Sequence, residues 1–180
     1  MSILLLCGPK HVGKTSVAYI LSALCNWEVI DLDELVTSQT GKSPRVLYQE
    51  GLALFRKAEY KALASSLVGQ RSALCIVAAG GGLIDNEAAI RLVDSDNVIV
   101  VYFAVSADTA WERIRAEKSL PPFLNTETPE ATHRALHERR AAAYHDLVQR
   151  KHGWVIQAED KSSYTIAKEI ASIMKSINHE

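Results

Sequence analysis

The chain has no apolar run approaching the roughly eighteen residues needed to cross a bilayer, which excludes a membrane span. It also lacks an excess of charge of either sign. Its 20 lysines and arginines meet 21 aspartates and glutamates, for a net charge of −1, so the basic footprint of a nucleic-acid binder is missing. Cysteine is scarce and odd in number. Cys7, Cys25 and Cys75 lie among apolar neighbours and read as small buried hydrophobes in a reducing cytosol, not as a disulfide framework. The N-terminus has no basic n-region and is expected to be a core strand, not a secretory signal. Linkers, low-complexity tracts and internal repeats are absent from the sequence. At 180 residues, that points to one domain over 1–180 with a substantial core.

What is present alternates between strand and helix. Apolar runs at Ile3–Cys7, Glu28–Asp31, Ala73–Ala78, Asn97–Phe103 and Gly153–Ile156 read as five short strands. The third is apolar throughout, as a parallel strand covered on both faces must be. Helical spacing fills the intervals: Ala53–Leu67, Asp85–Val93, Ala107–Ala116, Pro129–Arg150, and a last helix with Ile166, Ile170, Ile173 and Ile177 on one stripe. Alternation of this kind implies right-handed crossovers, a five-stranded parallel sheet and a three-layer α/β/α domain. One stretch, Lys118–Thr128, has loop composition, and a loop of that length is often a lid.

The strongest signal is Gly8-Pro9-Lys10-His11-Val12-Gly13-Lys14-Thr15, a match to G-x-x-x-x-G-K-[ST]. A strand precedes it, and Val17, Ile20, Leu21 and Leu24 follow at helical spacing. Strand, loop and helix together turn backbone N–H groups and the positive end of a helix dipole toward a phosphate chain. Lys14 can then reach the β/γ-phosphates while the Thr15 hydroxyl ligates Mg²⁺. Glycine would fit more easily at Pro9 and His11, so the loop is expected to hold both at negative φ.

Four weaker signals follow in order. Asp31-Leu32-Asp33 ends the second strand on the sheet edge where ligands of open parallel sheets bind, with the two carboxylates on one side. One can hold the Mg²⁺ water shell and the other orient and deprotonate an acceptor hydroxyl; a plain helix N-cap is the competing account. Gly80-Gly81-Gly82 allows a ligand close to backbone amides. In Phe55-Arg56-x-x-Glu59, the arginine and glutamate are helical neighbours that can pair. Arg139-Arg140, with Tyr144 one turn on, would by default be an exposed helix face. The third strand ends without the usual Walker-B acid, and no Asn-Lys-x-Asp segment follows, which disfavours a GTPase. His133 and His137 could share a helix face, but no third metal ligand accompanies them, so a structural role is expected.

The ordered set of G-x-x-x-x-G-K-T, D-x-D, F-R-x-x-E, G-G-G and R-x-x-x-Y resembles the shikimate kinase family over nearly the whole chain. The resemblance implies a sheet of the nucleoside-monophosphate-kinase type and a kinase that uses ATP and Mg²⁺ to phosphorylate the 3-hydroxyl of shikimate. It implies phosphate and Mg²⁺ contacts at Gly8, Gly13, Lys14, Thr15 and the adjoining Ser16, with Asp31 behind the metal. Asp33 resembles the residue that binds the acceptor hydroxyls and acts as base. Arg56 and Arg140 resemble a clamp on the substrate carboxylate, with Glu59 orienting Arg56 and Gly80, Gly81 and Gly82 beside the substrate. Arg113 resembles the residue stacking on adenine, against a loop near Ala158–Ser162. A small-molecule partner, a cytoplasmic location and a monomer are expected, with neither nucleic acid nor membrane.

The family's lid usually carries Arg-Pro-Leu-Leu. Here the lid, at about 117–128, reads Pro121-Pro122-Phe123-Leu124, with proline at the arginine position. The cation that would replace it is sought among Lys118, Lys10, Arg134 and His137. The same departure leaves two alternatives: a kinase of another small hydroxy-carboxylate, or a nucleotide-binding regulatory protein.

Overall fold

The computed structural model describes residues 2–68, 74–117 and 119–177. Five strands form one sheet: β1 (Ile3–Cys7), β2 (Glu28–Asp31), β3 (Cys75–Ala78), β4 (Val98–Ala104) and β5 (Trp154–Gln157). All pairings are parallel, in the order β2-β3-β1-β4-β5. All five expected strands are present, β1 and β2 with the expected bounds and the other three with ends shifted by one or two residues; Ala73 lies outside the described residues.

Both faces of the sheet are covered, because alternate side chains of each strand enter separate cores. Ile3, Leu5 and Cys7 of β1 join Val77, Val100 and Tyr102 on one face. There they meet α2 (Leu32–Thr40), α3 (Pro44–Glu50), α4 (Leu52–Leu67), α5 (Glu87–Val93) and α7 (Pro129–Arg150). Leu4 and Leu6 point the other way, into α1 (Lys14–Cys25), α6 (Ala107–Arg115) and α8 (Ser163–Ile177). Ile166 and Ile170 of the α8 stripe are fully buried and Ile173 partly; the side chain of Ile177 is outside the described set. Cys7 and Cys75 are buried as expected, but Cys25, at the end of α1, is half-exposed.

The strand order sets the position of the site. The connection leaving β1 runs to β2 on one side of the sheet and the one leaving β3 runs to β4 on the other. The crevice between the ends of β1 and β3 is therefore a topological switch point, where open α/β sheets bind ligands.

Two helices, α2 and α3, are absent from the sequence-based expectation. Helix α2 has Leu32, Leu35 and Val36 on one side, but among nine mostly polar residues that stripe spans little more than a turn, and the seven-residue α3 buries only Leu47. Their caps were the available signal: Ser43 accepts from the Val46 N–H, and Pro44 stands at the first helical position. The expected helix at Asp85–Val93 is divided into a 3-10 turn, Leu83–Asp85, and α5. The stretch expected to be loop also contains a 3-10 turn, Pro122–Leu124, seated by a fully buried Leu124.

Candidate active site

The phosphate loop joins β1 to α1. Gly8 has φ 137°, and a Cβ there would stand 2.6 Å from the Phe103 carbonyl oxygen, so glycine is required by both strain and space. Gly13 caps α1 in the left-handed region, at φ 88°. His11 differs from expectation, with φ 61° rather than negative. The loop needs a left-handed residue there, and histidine is among the side chains that tolerate that region. Its Nδ1 lies 3.6 Å from a carboxylate oxygen of Glu117, at the start of the lid.

Lys14 is buried, and its ammonium donates to the carbonyls of Gly8 at 3.0 Å and Pro9 at 2.6 Å. Burial pulls its pKa down to about 8, against the attraction of Cys7, Asp33 and Asp31. The Thr15 hydroxyl donates to Asp31 Oδ2 at 2.7 Å, while Asp31 Oδ1 accepts from the N–H groups of Asp33 and Glu34. Asp31 is thus both the cap of α2 and the acid behind Thr15. These residues, with Ser16 and Asp33, line a cavity of about 400 Å³.

A second cavity, of about 260 Å³, opens beside it. It contains Asp33, Arg56, Glu59, Gly80, Gly81, Gly82 and Arg140, and its size suits a small molecule. The three glycines have negative φ and are needed for space. A Cβ on Gly80 would lie 3.1 Å from Asp33 Oδ1, one on Gly81 2.9 Å from the Lys10 amide nitrogen, and one on Gly82 3.1 Å from a terminal nitrogen of Arg140.

Arg140 comes from α7, whose next turn is fixed by Tyr144 stacked on Tyr102 with centroids 5.1 Å apart. Its guanidinium lies 5.3 Å from the Phe123 ring centre and donates through Nε and a terminal nitrogen to Asp85 Oδ2, at 2.9 and 2.7 Å. Arg139 takes the other Asp85 oxygen at 2.8 Å.

The expected Arg56–Glu59 pair does not form. Asn86 Nδ2 donates instead to Glu59 at 2.9 Å and to the Arg56 carbonyl at 2.8 Å. Asn86 reaches inward because it caps α5, leaving Glu59 2 % exposed while the exposed Arg56 side chain lines the cavity. Burial raises the Glu59 carboxyl to about 7. Asp33 keeps an open side to solvent, yet its pKa is also raised, first by desolvation and then by Asp31.

Sequence reasoning did not assign Arg45, Tyr48 or Asp85. Arg45 and Tyr48 lie on the unanticipated α3; Arg45 donates to the Leu120 carbonyl at 2.7 Å, and Tyr48 packs between Phe55 and Phe123. Asp85 belongs to no spacing pattern and is revealed only by its arginine partners. The cavity lining has four cations against three acids, two of which are held toward their neutral forms. That balance favours an anion.

Elsewhere, Arg113 donates to the Glu159 carbonyl at 3.2 Å, which brings α6 against the Ala158–Ser162 segment. His137 Nε2 donates to the Val105 carbonyl at 3.1 Å, and the His133 ring packs against Trp111. Among the described residues, no group of three or more His, Cys, Asp or Glu could hold a metal ion.

A phosphate loop at a parallel-sheet switch point, with an acid and a guanidinium-lined pocket alongside, defines a P-loop kinase of the nucleoside-monophosphate-kinase type. The shikimate kinase family model matches residues 10–175. Shikimate kinase from Marinomonas sp. is 32% identical over 174 residues, covering 96% of this chain and 91% of that protein. The enzyme from Parasynechococcus marenigrum is 33% identical over 142 residues, covering 78% of this chain and 72% of the relative. The structure of shikimate kinase from Acinetobacter baumannii in complex with shikimate superposes with a TM-score of 0.83 at 26% identity, covering 100% of this chain and 96% of that one. The chain belongs to the shikimate kinase family, phosphotransferases that act on a hydroxyl group.

Proposed function

We propose that this chain transfers the γ-phosphoryl group of ATP to the 3-hydroxyl of shikimate. The observation that carries it is Asp33, which lines both the phosphate cavity and the small-molecule cavity. Lys14 and the loop amides bind the phosphates. Arg56 and Arg140 hold the substrate carboxylate, a task suited to planar guanidinium forks. Asp33 accepts the proton of the attacking hydroxyl as its oxygen bonds to the γ-phosphorus, and the bridging oxygen leaves with ADP. Its raised pKa moves it toward the operating pH of a general base.

Thr15 and Asp31 fit Mg²⁺. They offer a hydroxyl backed by a carboxylate at the phosphate cavity, and Mg²⁺ in such sites uses one or two protein oxygens together with phosphates and water. When bound, the ion neutralises charge on the β- and γ-phosphate oxygens. Arg113 stacks on the adenine, facing the Ala158–Ser162 segment. The buried Cys7 and Cys75 fit a reducing cytoplasm, where the chain acts as a monomer.

A coupled assay of ATP consumption with and without shikimate tests the proposal, with turnover expected only when the acid is present. Asp33→Asn should lower kcat at least 10³-fold, on the order of the loss of a catalytic base, while ADP binding stays within a few-fold of the parent. Parent-like turnover in that variant removes Asp33 from the mechanism. Absence of shikimate-dependent turnover in the parent sends the search to other small hydroxy acids.

A further inference from the structure

The transferring phosphoryl group must cross the seam between the two cavities. Four residues line both: Lys10, Asp33, Gly80 and Gly81. One is an acid, two are glycines, and Lys10 alone brings positive charge. The other cations nearby are engaged or displaced from the seam. Lys14 is buried and held by two loop carbonyls. Arg140 is held by Asp85, Arg134 by Asp108, Arg45 by the Leu120 carbonyl and His137 by the Val105 carbonyl. Arg56 lines only the small-molecule cavity, and Lys118 is outside the described residues. Lys10 is exposed and makes no side-chain hydrogen bond or ion pair among the described residues.

We propose that Lys10, the third residue of the phosphate loop, is the cation that stabilises the transferring phosphoryl group, in place of any residue from the lid. A loose phosphoryl-transfer transition state spreads charge over equatorial oxygens and places more on the leaving bridge oxygen, so a mobile ammonium beside both is what the step requires. Lys10 forms and breaks no covalent bond; it donates N–H to oxygens whose charge grows as the bond to ADP breaks. Its position is fixed from below. The Lys10 amide nitrogen lies against Gly81, where a Cβ would stand at 2.9 Å, so loop and glycine turn are packed backbone to backbone. Its charge is felt at both ends of the reaction coordinate: it adds to the fall that burial imposes on Lys14 and opposes the net rise that burial imposes on Asp33. A lid residue must close to act, whereas Lys10 arrives with the nucleotide's own loop, so the proline at position 121 needs no compensating change in the lid.

This inference rests on the kinase function proposed above, so its test has a readout that needs no turnover. Lys10→Met, Lys10→Arg and Lys118→Met are compared with the parent for kcat, KM, ADP affinity and trapping of ADP with aluminium fluoride, the planar mimic of the group in flight. Lys10→Met is expected to lose 10²–10³-fold in kcat and a comparable factor in fluoride trapping, with ADP affinity and shikimate KM within a few-fold. Lys10→Arg should recover most of the loss, and Lys118→Met should be near the parent. Parent-like kcat and trapping in Lys10→Met, or a loss of that size in Lys118→Met instead, overturns the assignment. A parent that traps fluoride through Lys10 but ignores shikimate would sink the acceptor assignment and leave that of Lys10 standing.

Discussion

Glu59 shows how burial turns an ordinary carboxylate into a pH-sensitive part of the pocket. It is 2 % exposed, and Asn86 supplies one hydrogen bond toward the charged form, yet desolvation prevails and the pKa rises from 4.5 to about 7. A carboxyl with a folded pKa above its unfolded value binds its proton more tightly in the folded state. The stability it lends is complete below about pH 4.5 and is lost as pH rises through 7. His133 acts in the opposite sense: burial holds it down to about 4, so it favours folding increasingly as pH climbs toward 6.5. The difference between parent and Glu59→Gln therefore isolates the glutamate. From pH 4.5 to 8, the parent should lose on the order of 3 kcal/mol relative to the glutamine variant, in chemical-denaturation series at matched ionic strength. Parallel profiles would mean that Glu59 stays charged. The sequence placed Arg56 and Glu59 one helical turn apart and so allowed a pair, but the spacing was silent about Asn86, which comes from 27 residues downstream and takes the carboxylate inward.

The turn after β3 is the element on which the two half-sites meet, and its glycines have three different neighbours. Gly81 faces backbone, while Gly80 and Gly82 face the ends of functional side chains. Gly81→Ala must therefore push the phosphate loop as a unit. It should cost about 1–3 kcal/mol in a thermal or denaturant melt and weaken ADP binding. Gly80→Ala and Gly82→Ala crowd groups that can swing aside, so their stability should change little. The first should lower kcat through Asp33, and the second should raise the shikimate KM through Arg140. A Gly81→Ala protein with parent stability and ADP affinity would contradict this division. That the triplet served close approach could be read from three adjacent glycines, but which neighbour each one faced could not, since those neighbours come from three other segments. The alternation of short β-rich runs with longer helical stretches was legible in the same way: the five strands and helices α1, α4, α5, α6, α7 and α8. Helices α2 and α3 were not, because each is short and sets few apolar residues among polar ones, and the omission of α3 concealed Arg45 and Tyr48.

Across the whole molecule, strand register gathers the site. Leu6 pairs with Ala78, and Ala78 with Asp31, so the phosphate loop, the glycine turn and the Asp31–Asp33 segment leave the sheet at one level. Arg56 and Glu59 are added from α4 and Arg140 from α7, and the Tyr102–Tyr144 stack fixes the approach of Arg140 from β4. One rigid edge thus carries two cavities with a narrow shared seam. Lys14 lines only the phosphate cavity and Arg140 only the small-molecule cavity, so binding in one should survive loss of the other. At about 100 times Kd, a ligand that binds only the folded state stabilises it by about 2.7 kcal/mol. For a domain of this size, each kcal/mol moves Tm by about 2–4 °C, so ADP and shikimate should each raise the parent's Tm by about 5–10 °C. Lys14→Met should abolish the ADP shift and keep that of shikimate; Arg140→Met should do the reverse. If either substitution erases both shifts while circular dichroism remains that of the parent, the two cavities are one cooperative site, and the independence of its halves is wrong.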